Sequence, residues 1–190
     1  MRKAGLRRLG LAARNSLSQI EVLSKSLLIL DAVSLRFPAT CSDPNLLFYA
    51  SFRNEVSTQE ALKLHLARNG SLLLPKVNGE SISIHRVFDF SELNENNWGI
   101  LEPCSLYKIE SQSLKGIKNV LVPGVAFDRD LNRVGFGRGF YDRLFLELPN
   151  AFKIALAFEN QIIEKVETEK HDIKMDVIVT ETQILDASSK

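Results

Sequence analysis

The sequence predicts a single α/β domain, residues 1–190, with a mostly parallel β-sheet flanked by helices on both faces. Three observations carry this. Short apolar runs of strand length (46–50, 71–74, 120–122, 152–158 and 177–180) alternate with segments of helical length. Those runs are predominantly apolar, as strands buried on both faces are. A chain of 190 residues with 45% hydrophobic and 25% charged side chains has the size and composition of one domain with one core.

Residues 2–14 read as a helix with Leu6, Leu9 and Ala13 on one face and basic residues on the other. Ser18 caps a second helix, because Glu21 three residues on completes a capping box. Ile20, Leu23, Leu27 and Leu30 form the apolar stripe of that helix, which runs to about Asp31. Phe37-Pro38 through Asp43-Pro44 is a turn region, and Leu46 to Ala50 a buried strand. Thr58 opens a helix that Gly70 stops. Ser71 to Leu74 is a strand ended by Pro75-Lys76. Ser81 to Val87 alternates like a half-solvated strand. Residues 89–119 read as irregular around Trp98-Gly99-Ile100 and Glu102-Pro103. Val120–Val122 is a strand and 139–148 a helix. Phe152 to Phe158 is another strand, Glu159 to Val166 a short helix or turn, and Val177 to Thr180 a last buried strand. Ligands of such sheets sit beyond the carboxyl ends of the strands. The loops to watch are therefore 51–58, 75–76, 123–139 and 159–161.

Composition excludes some functions. The net charge of +1 gives no field for bulk nucleic-acid binding. No apolar run approaches the ~20 residues of a membrane span. The two cysteines, Cys41 and Cys104, have neither metal-ligand nor disulfide-framework spacing and suit a reducing cytosol. The start of the chain carries Arg2, Lys3, Arg7, Arg8 and Arg14 before the first acid, Glu21. It has no secretory h-region. It fits an organelle transit peptide, a solvated helix face, or contacts to an anionic ligand, and composition does not choose among them.

The stretch 120–146 is the richest in chemistry. A strand closed by Pro123-Gly124 leads to a polar turn, Asp128-Arg129-Asp130, and then to Gly135-Phe136-Gly137-Arg138-Gly139 before a helix. Bare backbone N–H groups and a helix start form an anion cradle. The spacing is neither a Rossmann fingerprint nor a Walker A loop, and glycines alone would also fit a plain turn. Arg138 and Arg133 add fixed charge for phosphate oxygens. Asp142 can hold Mg²⁺ beside a phosphate or simply favour the helix start. Asp172, in His171-Asp172-Ile173-Lys174-Met175-Asp176, is a metal candidate only if folding brings it near Asp142; otherwise it belongs to a solvated loop. Glu55 follows a strand and can accept hydrogen bonds from a ligand ring, or be a surface acid. Trp98 reads as a core or hinge residue.

The same stretch, LVPGVAFDRDLNRVGFGRGFYDRLF, resembles the signature of the 5-formyltetrahydrofolate cyclo-ligases, also called 5,10-methenyltetrahydrofolate synthetases. Further matches, in order, are Lys3 and Arg7, Tyr49 through Thr58, Pro75-Lys76-Val77, Trp98-Gly99-Ile100 with Glu102-Pro103, Ala155 through Gln161, and His171-Asp172 with Met175-Asp176. The resemblance implies a small cytoplasmic enzyme, a monomer, that uses ATP and Mg²⁺ to turn 5-formyltetrahydrofolate into 5,10-methenyltetrahydrofolate, ADP and phosphate. Its partners would be these small molecules, with no nucleic acid and no membrane.

By position, the resemblance implies that Lys3 and Arg7 contact the ATP phosphates. Arg133, Val134, Gly135, Phe136, Gly137, Arg138, Gly139, Phe140 and Tyr141 would form the nucleotide loop. Ala50 and Glu55 would line the folate side, with Phe136, Gly137, Arg138, Gly139 and Phe140 bordering it. Asp142 and Asp172 would hold Mg²⁺. Lys3 and Arg138 would be catalytic, neutralising charge on the phosphoryl group in flight. The basic start then belongs to the site. Two residues depart from the family pattern: Arg138 replaces a lysine and Phe140 a tyrosine. These departures keep a second expectation alive, a non-catalytic folate- or nucleotide-binding module on the same fold.

Overall fold

The structure is a computed structural model and describes residues 2–79, 81–104, 107–169 and 172–187. His171, one of the matched residues, lies outside the described residues.

Helix α1 (Lys3–Asn15) opens the chain. Its inner face carries Leu6, Gly10 and Arg14, whereas Leu9, expected inside, is half exposed. Gly10 is required there. A Cβ at this position would stand 2.3 Å from the Val125 carbonyl oxygen, so α1 lies directly against backbone.

Helix α2 (Gln19–Arg36) has the expected capping box between Ser18 and Glu21. It outruns Asp31 because 32–36 contain no breaker before Pro38. Its buried row is Val22, Ser26, Ile29 and Val33, while Ile20, Leu23 and Leu27 are exposed. Ser26 hides that row from a hydrophobicity reading. It is inside because its Oγ accepts a hydrogen bond from the Ser57 N–H at 2.8 Å. A short α3 (Pro38–Cys41) and α4 (Gln59–Asn69) follow, the latter closed at Gly70.

Strand β1 (Leu72–Asn78) pairs antiparallel with β2 (Ser81–Val87). It runs through Pro75, where an end was expected. The Leu73 carbonyl accepts from the Phe48 N–H at 3.0 Å. Strand alternation turns the Pro75 nitrogen to that same side, beyond the paired residues, where a missing N–H costs little. The region expected to be irregular holds a hairpin, β3 (Leu93–Glu95) and β4 (Leu101–Pro103), and a short α5 (Ser111–Leu114). Strands of three residues are too brief to show periodicity.

The remainder is β5 (Asn119–Val122), β6 (Ala126–Asp128), β7 (Arg133–Val134), α6 (Phe140–Glu147), β8 (Phe152–Leu156), β9 (Ile162–Ile163), β10 (Val177–Val179) and β11 (Ile184–Asp186).

The sheet is mixed, which corrects the expectation of a mostly parallel one. Its interior pairings, β5 with β8 and β8 with β10, are parallel. Leu47 bridges in parallel to Leu73 on β1 and to Val120 on β5, so the 46–50 run contributes a bridge rather than a full strand. Both edges, β1–β2 and β10–β11, are antiparallel. A smaller sheet, β7-β6-β9, is also mixed. Alternation along the strands splits the core. Leu72, Leu74, Leu121, Ile154 and Leu156 pack with Val22, Ile29 and Val33 of α2. Leu73, Val120, Val122 and Ala155 pack with Leu144 and Phe145 of α6. Among the described residues no helix is long and apolar enough to cross a membrane.

Candidate active site

A cavity of about 630 Å³ opens among the strand-end loops, where α/β sheets place ligands. Residues from distant parts of the sequence line it together: Lys3 and Arg7 from α1, Ala50 and Glu55 from the loop after Leu47, the whole run Arg133–Asp142, and Asp172. Every residue to which the resemblance gives a site role therefore borders one space. The cavity is also bordered by Trp98 from the β3–β4 turn and by Glu169, neither of which was given a ligand role.

Local structure explains the convergence. The Asp128 carboxylate, buried, accepts hydrogen bonds from the N–H groups of Asp130, Asn132 and Val166 at 3.0, 2.9 and 2.8 Å. This fixes the turn between β6 and β7 and so the direction of the glycine loop. Gln161 Nε2 donates to the carbonyls of Gly124 and Val125, both at 2.9 Å. Arg7 Nε donates to the Gly135 carbonyl at 2.9 Å and holds the loop to α1. Gly137 and Gly139 have φ of +96° and +64°, values that favour glycine. No side chain caps the start of α6, so its first turn meets the cavity with backbone donors.

The charges are paired. Lys3 Nζ donates to Asp172 at 2.7 Å and to Glu169 at 2.9 Å. Burial works against the Lys3 charge, yet these two partners hold its pKa above the usual lysine value. Arg133 Nη2 lies 3.3 Å from Asp142, and its guanidinium stands 5.4 Å from the Tyr141 ring centre. Among the described residues its buried Nε has no hydrogen-bond partner. Arg138 stands 5.6 Å from the Trp98 ring centre.

Behind the cavity, Arg14 is buried and lies 3.5 Å from Glu55 and 5.5 Å from the Phe136 ring centre. Burial raises the Glu55 pKa, and Arg14 pulls it back. Burial, with the Glu55 charge added, also raises the phenols of Tyr49 and Tyr141. Glu55 is therefore an internal acid on a built support, not a surface turn residue. The Phe52 N–H donates to it at 2.9 Å. Arg14 was the supporting residue that sequence reasoning missed. Lys3, Arg7, Gly10 and Arg14 follow the i, i+4, i+7, i+11 spacing of a single helix face, a signal that was present.

Asp142 and Asp172 both border the cavity. Each is held by a basic side chain, Asp172 by Lys3 and Asp142 by Arg133; as hard-oxygen donors their chemistry suits Mg²⁺, which takes one or two carboxylates with phosphate and water.

The fold and cavity define an α/β protein with a cavity of small-molecule size among its strand-end loops. Fixed cations and carboxylates mark part of its wall, and aromatic surface marks another. The sequence model described as the 5-formyltetrahydrofolate cyclo-ligase family matches residues 1–181, and the chain belongs to this family. It is 26% identical to a mouse 5-formyltetrahydrofolate cyclo-ligase over 190 residues, 94% of this chain and 93% of that one. It is 30% identical to a Haemophilus influenzae 5-formyltetrahydrofolate cyclo-ligase over 144 residues, 71% and 75% of the two chains. Among solved structures, a 5,10-methenyltetrahydrofolate synthetase from Aquifex aeolicus superposes with a TM-score of 0.84 at 30% identity, covering 100% of this chain and 95% of the other. One from Mycoplasma pneumoniae gives 0.69 at 26% identity, covering 95% and 99%.

Proposed function

We propose that the protein converts 5-formyltetrahydrofolate and ATP into 5,10-methenyltetrahydrofolate, ADP and phosphate, with Mg²⁺. The observation that carries this is the gathering of Lys3, Arg7, Glu55, the 133–141 loop, Asp142 and Asp172 around one cavity.

A formamide oxygen is a modest nucleophile and a poor leaving group. Attack of that oxygen on the γ-phosphorus forms the O–P bond and releases ADP. The formyl carbon, now carrying a phosphate leaving group, is attacked by N10. The C–O bond breaks, phosphate departs, and N10 gives up its proton as the ring closes. The protein aligns the oxygen in line with the leaving group and meets the charge on the phosphoryl oxygens. Lys3, Arg7, Arg133 and Arg138 supply positive charge, and the glycine loop supplies N–H donors. Glu55 accepts hydrogen bonds from the pterin edge, and Ala50 leaves room beside it. Asp142 and Asp172 would hold Mg²⁺, which supplies charge neutralisation on the polyphosphate. No protein nucleophile is required.

Arg138 keeps the charge of the lysine it replaces, with a planar donor set. Phe140 keeps the ring and loses a hydroxyl. A monomer in the cytoplasm completes the reading; unbridged Cys41 and Cys104 suit a reducing compartment. The test is a turnover assay with purified protein, Mg-ATP and 5-formyltetrahydrofolate. The expected result is methenyl absorbance and ADP rising in step. Calorimetric binding of both ligands with no ADP formed would instead make the protein a binding module.

A further inference from the structure

Trp98 is the chain's one tryptophan, and it is 62% exposed at the edge of the cavity. Its position is built. The Asn96 Oδ1 accepts hydrogen bonds from the N–H groups of Trp98 and Ile100 at 2.9 and 3.1 Å. Gly99 closes the turn at φ +80°. The β3–β4 hairpin that carries the turn is tied to β1, because Lys76 Nζ donates to the Pro103 carbonyl at 2.8 Å. Strand β1 is in turn the neighbour of Leu47, whose segment runs on into Ala50 and Glu55. The hairpin thus extends the wall on which Glu55 stands. Helix α1, with Lys3 and Arg7, packs instead on β6 and β7. The Arg138 guanidinium stands over the indole ring of Trp98, 5.6 Å from its centre.

A large apolar ring left half in water at the rim of a cavity is a binding surface more readily than a packing one. A guanidinium stacks on an indole face weakly in water, and a flat aryl ring of a ligand competes for the same face. We infer that Trp98 is a substrate-binding residue whose indole stacks on an aryl ring of the folate, displacing Arg138 from that face. The inference rests on the cyclo-ligase reading and deepens it. The displaced Arg138 becomes available to the phosphates, so folate and nucleotide would each favour the other's binding. The replacement of the family lysine by arginine has a physical consequence here: a planar guanidinium covers an indole face better than an ammonium does.

The test uses the sole tryptophan as its own probe. In the wild type, 5-formyltetrahydrofolate added without ATP quenches the indole emission saturably, at concentrations matching its calorimetric Kd. Trp98→Ala raises the folate KM and the folate Kd roughly tenfold, the size of a lost aromatic stack. The ATP KM measured at saturating folate stays near the wild-type value. Trp98→Phe recovers most of the loss. A wild type that turns over normally while its emission ignores saturating folate overturns the inference and leaves the cyclo-ligase reading standing. So does a Trp98→Ala variant with an unchanged folate KM, or one in which only the ATP KM rises. A wild type with neither turnover nor folate binding removes both.

Discussion

Lys3 Nζ lies 2.7 Å from the Asp172 carboxylate, so a residue assigned to phosphate and a residue assigned to Mg²⁺ are held to each other. The second pair of this kind, Arg133 with Asp142, is separated by 3.3 Å. On the proposed reading Asp142 and Asp172 would hold Mg²⁺, and Lys3 and Arg133 would be left to meet the ATP phosphates. Removing Lys3 deletes one charge-assisted contact, a loss of about 1.5–3 kcal/mol, or roughly 10- to 150-fold. Lys3→Ala is expected to raise the ATP KM by that factor and the folate KM far less. Equal rises in both constants would count against the assignment, and steady-state kinetics with each substrate varied separates the two results.

Asp142→Asn keeps the shape of the side chain and removes its charge. Turnover at saturating Mg-ATP is expected to fall at least about 100-fold, as for loss of a ligand to the ion that would neutralise the phosphoryl charge. The fold should survive with a lowered melting temperature, because the asparagine keeps an oxygen acceptor beside the buried Arg133 while it removes the charge that partners it. Kinetics and a thermal melt on one preparation check both halves.

The buried pair of Arg14 and Glu55 gives a stability prediction with a sign. Arg14→Met leaves a buried carboxylate without its cation, a loss of about 3–5 kcal/mol by denaturant unfolding. Arg14→Met with Glu55→Gln should lose less than Arg14→Met alone, since no charge is then stranded. Glu55 already has a raised pKa through burial, and the Arg14 change raises it further. A carboxyl with a raised folded-state pKa binds its proton more tightly in the native protein. Its contribution is present below the unfolded pKa of about 4.3 and is lost as pH rises through the folded value. The Arg14→Met deficit should therefore shrink toward acid pH and be largest near neutrality. A deficit independent of pH would assign the cost to lost packing rather than to the stranded charge.

Gly10→Ala sets two effects against each other. Alanine favours a helix interior by about 1 kcal/mol over glycine. The added Cβ would stand 2.3 Å from a backbone oxygen, and backbone cannot rotate away, so overpacking of about 1–3 kcal/mol wins. The variant is expected to melt lower and to lose ATP affinity, because α1 carries Lys3 and Arg7. A higher melting temperature with unchanged kinetics would show that α1 does not need its close approach to Val125.

The parts of the molecule legible in sequence were those set by local chemistry. Ser18 and Glu21 announce their helix start, Gly70 marks a helix end, and the glycines at 137 and 139 mark a loop of unusual backbone. The buried face of α2 was misread because Ser26, a polar residue, is satisfied by Ser57, which only tertiary structure brings near. The β3–β4 hairpin escaped because its strands are too short for a period, and with it the ring of Trp98 at the cavity edge. The support of Glu55 by Arg14 joins two residues far apart in sequence, and burial of an arginine is not a local property. The mixed sheet was hidden for a related reason: an apolar run shows that a strand is buried, not which way its neighbour points.

On the proposed reading the formyl oxygen is activated by direct transfer of the γ-phosphoryl group. The most direct test is turnover of 5-formyltetrahydrofolate carrying a heavy-oxygen label in its formyl group, with the released phosphate read by mass spectrometry. The proposed reaction predicts one labelled phosphate and one ADP for each methenyltetrahydrofolate formed. Methenyltetrahydrofolate accompanied by unlabelled phosphate would contradict it.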